Sequence, residues 1–174
     1  MKSRWNSARR IAAGQRGATM VESLVALLVL SVGMLGIAGL YVSSLRAERT
    51  AQLRTQAITL VNDMMDRIRA NAQARGGYDL SKVTPGVKSC VAAETPTPCK
   101  TEDLALEDLK VWTDAAKDTL PGGKGTVTYA AGGGVGLPDT YTITVEWQEP
   151  GDRPDGGPIT LQYKNTLSLI PVTP

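Results

Sequence analysis

The sequence predicts an α+β protein: a long N-terminal helix packed on a small antiparallel sheet, with an additional helix and a disulfide-closed loop. Three observations carry this. An uncharged apolar run, Ser23 to Leu45, passes into a charged segment over residues 46–75 that keeps a helical apolar stripe and holds no Pro or Gly. A second stripe at helical spacing, Ala105, Leu109, Trp112, Ala116 and Leu120, follows Thr101-Glu102-Asp103. Three strand patterns occupy the C-terminal third.

The first element is long enough to cross a bilayer. At 1.5 Å per residue the Ser23–Leu45 run spans roughly 35 Å, against a hydrocarbon core of about 30 Å. Lys2, Arg4, Arg9, Arg10 and Arg16 precede it with no acid among them. This basic flank places the N-terminus in the cytoplasm and the remainder outside it. A cleaved secretory signal would be shorter, about 7–15 apolar residues, and purely apolar at the position of Glu22. A plain single-pass anchor explains the length but leaves Glu22 without a role. A carboxylate at the edge of hydrocarbon is costly and usually has a partner.

Beyond Arg46 the stripe Leu53, Ala57, Leu60, Val61, Met64, Ile68 and Ala72 recurs at helical steps, and Gly76-Gly77 supplies a stop. Its rows are too irregular for a coiled coil, so the stripe is expected to lie on a sheet. Residues 78–100 read as loop, with Pro85, Pro96 and Pro98. Acids at 102 and 103 suit the positive end of the second helix, and Pro121-Gly122-Gly123 stops it. Thr126–Ala130 reads as a short strand. Thr140–Gln148 alternates, with Tyr141, Ile143, Val145 and Trp147 on one face. Ile159–Ile170 alternates through Leu161, Tyr163, Leu167 and Leu169, and Asn165 interrupts that face, which suggests a bend or bulge. The Glu149–Pro158 loop suggests a hairpin, hence an antiparallel meander.

Composition narrows the function. The chain has 174 residues, 42% of them hydrophobic, and a net charge of +2. This suits one modest domain plus a membrane segment and gives no basis for a nucleic-acid partner. With no histidine, the commonest general base and metal ligand are missing. Cys90 and Cys99 are an even pair suited to an oxidising compartment. Zinc would find a four-ligand site half empty, and the spacing is not that of a CxxC redox motif. A structural disulfide closing a surface loop is the expectation, with no metal and no cofactor. The glycines at 132–134 and 156–157 lack the context of a phosphate loop.

The segment Arg16-Gly17-Ala18-Thr19-Met20-Val21-Glu22 resembles the prepilin processing motif of the type IV filament superfamily. The resemblance implies a cytoplasmic leader of residues 1–17, cleavage between Gly17 and Ala18 by a prepilin peptidase, and N-methylation of Ala18. Glu22 becomes the fifth mature residue and an assembly contact that neutralises the N-terminal amine of a neighbouring subunit. Members most often begin with Phe; this chain would begin with Ala. Cleavage would create a cation four residues from Glu22, and an opposite charge a few ångströms away stabilises a poorly solvated carboxylate.

From Glu22 to Leu40 the sequence is similar to minor pilins of the PilV type, as is the block from Asp108-Leu109-Lys110-Val111-Trp112 to Leu120-Pro121-Gly122-Gly123. The organisation then implied is a hydrophobic transmembrane and assembly helix over 18–45, its amphipathic continuation over 46–76 and a periplasmic globular domain over 77–174. Gly33, Gly36 and Gly39 are expected to allow close helix packing. The implied role is that of a minor pilin, held in the inner membrane and then entering a type IV pilus at or near its tip. There it would help prime assembly. Implied partners are the prepilin peptidase, other minor pilins and the major pilin, the inner-membrane assembly platform and a tip adhesin. The nearest alternative is a minor pseudopilin of a type II secretion system, which shares the processing and the helix. A membrane-anchored periplasmic enzyme is disfavoured by the missing histidines and the lack of a nucleophilic or acidic cluster.

Overall fold

The computed structural model describes residues 19–86, 90, 99–134, 136–151 and 157–170. Its contacts divide the chain into two compact units, Met1–Arg46 and Ala47–Pro174. Helix α1, Met20–Ala70, contributes to both. In the first unit every described residue of α1 is exposed. The second unit contains the rest of α1, a short 3-10 segment Ala72–Tyr78, helix α2 (Thr101–Thr119) and strands β1 (Lys124–Ala130), β2 (Asp139–Pro150) and β3 (Pro158–Leu169).

The three strands form an antiparallel sheet in the order β1-β2-β3. Alternation sets its inner face: Tyr141, Ile143, Val145 and Trp147 are buried on β2, with Val127 on β1 and Leu167 on β3. These join the α1 stripe (Leu53, Ala57, Leu60, Val61, Met64, Met65, Ile68) and the α2 stripe (Ala105, Leu109, Trp112, Ala116) in one core, as the spacing predicts. Trp112 is its centre, fully buried, with its indole N–H donating to the Leu60 carbonyl at 2.7 Å. The ring lies so close on β1 that a Cβ at Gly125 would fall 2.4 Å from it. Glycine is therefore required at that strand position. The turn between α2 and β1 takes Gly122 at φ +60°, which a glycine adopts without strain.

Two expectations are corrected. The helix ends at Ala70 rather than at Gly76-Gly77. Asn71 leaves helical geometry, with φ −124° and ψ 47°. Its buried amide donates instead to the Thr101 carbonyl at 2.8 Å and to the Tyr78 hydroxyl at 3.3 Å. A polar side chain satisfied by tertiary partners thus stops the helix before the glycines do. Asn165 makes no bulge: the β2–β3 register runs unbroken from Asp139↔Leu169 to Pro150↔Pro158, with Asn165 opposite Ile143. Its side-chain oxygen accepts the Thr166 N–H at 2.8 Å, so the ladder accommodates it without an extra residue.

Candidate functional site

The described N-terminus of α1 is a built helix start. Thr19 is the capping residue: its Oγ1 accepts the Glu22 N–H at 3.3 Å, and its carbonyl accepts the Ser23 N–H at 3.2 Å. Helix termini leave such N–H groups without internal partners, and a threonine cap satisfies one of them. The pattern Thr19-Met20-Val21-Glu22 has the spacing of a capping box, a signal that sequence spacing alone carries. Glu22 occupies the first turn, exposed, where a negative charge also complements the helix dipole.

Behind Glu22 the helix presents apolar side chains on all sides. Leu24, Leu27, Leu28, Val32, Leu35, Ile37 and Leu40 are all more than half exposed. A stretch of this helix reaches a mean hydropathy of 2.4 with none of it buried. Such a surface cannot rest in water, whereas lipid or other apolar helices can cover it. Gly33, Gly36 and Gly39 face open space, with no atom within 4 Å of a built Cβ. Among the described residues nothing requires glycine at those positions. Gly17 and Ala18 lie outside the described residues.

The cysteines are joined: Cys90 and Cys99 form a disulfide with Cα atoms 5.6 Å apart. The buried Glu107 on α2 accepts the Cys90 N–H at 2.7 Å and so ties Cys90 to that helix.

Buried charge elsewhere serves architecture. Asp139, 3% exposed, accepts Arg75 Nε at 2.7 Å, Arg75 Nη2 at 2.9 Å and the Gly132 N–H at 2.8 Å. Arg75, with its fork on the carboxylate, holds the Asp139 pKa down to about 2 against the opposing effect of burial. Arg75 itself sits at φ 39°, a left-handed conformation that costs a non-glycine residue of order 1–3 kcal/mol and persists only where surroundings enforce it. A second network joins Arg67 to Asp63 and Asp108 at 2.9 and 2.8 Å, and the Tyr78 hydroxyl donates to Asp108 at 2.7 Å. Burial, foremost, and the Asp108 bond push the Tyr78 pKa up. These carboxylates are pinned by guanidinium or hydroxyl donors. Sequence patterning missed them because partners such as Arg75 and Asp139, or Arg67 and Asp108, 64 and 41 residues apart, carry no periodic signal. Among the described residues no group of three or more acids and cysteines converges as a metal site.

A protein-family model described as Type IV pilin Tt1218, of the Tt1218-like family, matches residues 39–110. The matched stretch covers the end of the apolar run, the buried stripe of α1, the 3-10 segment and the first half of α2. No curated protein and no solved structure matches the chain significantly. The match covers less than half of the chain and supports a likeness to type IV pilins over those residues.

Proposed function

We propose that this chain is a minor pilin of the PilV type, cut between Gly17 and Ala18 by a prepilin peptidase and methylated at Ala18. It waits in the inner membrane with its N-terminus in the cytoplasm and residues 77–174 in the periplasm. It then joins other minor pilins and the major pilin at the assembly platform, to prime a type IV pilus or form its tip beside an adhesin. The observation that carries this reading is the α1 surface from Met20 to Leu45, apolar, wholly exposed and headed by the single carboxylate Glu22. The pilin family match supports it from the adjoining residues.

The physical logic is a docking register. A carboxylate near hydrocarbon is poorly solvated until a cation reaches it. The amine freed at Ala18 of a neighbouring copy or partner is such a cation, and pairing is complete only when the subunits are in step. Gly33, Gly36 and Gly39 would let apolar helices approach closely during the same event. N-terminal mass spectrometry of the protein from its host tests the processing. A mature chain beginning at methylated Ala18 is expected. A chain beginning at Met1, or at a small-x-small site within the apolar run, would overturn it. Co-purification with secretion components instead of pilus subunits would move the chain to a type II pseudopilus.

A further inference from the structure

The two edges of the sheet differ. Gln148 N–H donates to the Pro121 carbonyl at 2.8 Å, on the β1 side of β2. Backbone groups alternate along an antiparallel strand. Even-numbered residues of β2 therefore point theirs toward β1 and odd-numbered ones toward β3. With Trp147 opposite Leu161 and Val145 opposite Tyr163, the odd residues of β3 face back to β2. Thr160, Gln162, Lys164, Thr166 and Ser168 then direct their N–H and C=O groups outward. On β1 the odd residues face outward by the same rule, and there the Val127 carbonyl accepts the Leu80 N–H at 2.9 Å.

On β3 the outer edge is open. Among the described residues, the outward N–H of Thr166 alone receives a partner, the Asn165 side chain. Pro158 has no N–H at all, so the accessible ladder runs from Thr160 to Lys164 between these two stops. Edge strands left this way template another strand unless charge, proline or cover prevents it. Beside this stretch a groove of about 230 Å³ is lined by Arg54, Ile58, Trp147, Leu161, Gln162 and Tyr163. Ile58 is 40% exposed there. Arg54 on the helix side and Lys164 on the outer side bracket the edge, and neither makes an ion pair among the described residues. The nearest buried acid, Glu149, is occupied by Thr50 and Trp147.

We propose that the Thr160–Lys164 edge of β3 is a strand-addition site for an extended, acidic segment of another polypeptide. Main-chain hydrogen bonds to Thr160, Gln162 and Lys164 hold the segment. An apolar side chain enters the groove against Ile58, Leu161 and the Arg54 stem, and carboxylates on the opposite face of the segment meet Lys164. The site stands independently of the pilus reading, since it uses only the second unit.

The test uses the full chain in detergent micelles, isotopically labelled, with three blocked heptapeptides as probes. One alternates valine with glutamate, one alternates valine with lysine, and one is the glutamate peptide with a central proline. Saturable amide shifts confined to residues 160–164, with Trp147 emission changing in parallel, are expected for the glutamate peptide. Its affinity should exceed that of the lysine peptide at least ten-fold at low salt, and the proline version should not bind. Gln162→Pro removes one outward N–H but no bond to β2, and should abolish binding. Lys164→Glu, an exposed change with little bearing on folding, should reverse the charge preference. No saturable shift up to millimolar peptide, shifts on β1 instead, or an unchanged preference in Lys164→Glu would overturn the proposal. Self-association of the chain that Gln162→Pro abolishes, without peptide binding, would do so in favour of a second copy as occupant.

Discussion

The two halves of α1 are one helix in backbone and two different objects in side chain. From Met20 to Arg46 no residue is buried, although the stretch is almost wholly apolar; from Ala47 to Ala70 a stripe of seven residues is buried, although the stretch is rich in charge. Apolarity by itself therefore does not place a residue in the core. In the second half the apolar residues are gathered on one side and meet α2 and the sheet. In the first they surround the axis and await a solvent or partner outside the chain.

The largest effect should come from the residue on which the second unit converges. Trp112→Ala removes a fully buried ring and its bond to Leu60, and should cost about 3–5 kcal/mol, read by urea unfolding of the full chain in micelles. Next, paired truncations probe the comparison itself. Met64→Ala, fully buried, should cost about 2–5 kcal/mol, whereas Leu35→Ala should leave the same unfolding curve unmoved. Equal losses would break the distinction between the halves.

Opening the disulfide with Cys90→Ser and Cys99→Ser should cost roughly 2–3 kcal/mol for a loop of this size. The first half should be indifferent to it. Acid acts on the second unit in part through Asp139. Its folded pKa is lowered from 3.8 to about 2, so its contribution is fully present above the unfolded value and is lost as pH falls through the folded one. Stability should drop on acidification between those values and the drop should be smaller in Asp139→Asn. An identical acid profile in that variant would remove Asp139 from the account. Smallest in stability is Glu22→Ala, which retains the Thr19 cap through the backbone N–H. It should leave unfolding unchanged while filament incorporation falls several-fold, measured by immunoblot of sheared pili against total cell protein.

What could be read from the sequence follows the same division. Helical spacing picked out Leu53, Ala57, Leu60, Leu109, Trp112 and Ala116, all buried, because burial on one side of a helix leaves a periodic trace. Alternation did the same for Tyr141 to Trp147. The helix end at Ala70 was not legible, since it depends on Asn71 finding Thr101, distant in sequence. Nor were Arg75 and Asp139, which are 64 residues apart and carry no local pattern. At the candidate site, Glu22 was conspicuous because a charge stands out in an apolar run. The Thr19 cap beside it was equally available from spacing alone.

The burial of the tryptophans has an optical consequence. The chain holds three: Trp5, Trp112 and Trp147. Trp112 is fully buried and Trp147 is 3% exposed, whereas Trp5 belongs to the proposed leader. A mature protein beginning at Ala18 would draw its tryptophan emission from the second unit alone, without any label. Its spectrum would then combine two intrinsic reporters, one where α2 meets α1 and one at the groove beside β3.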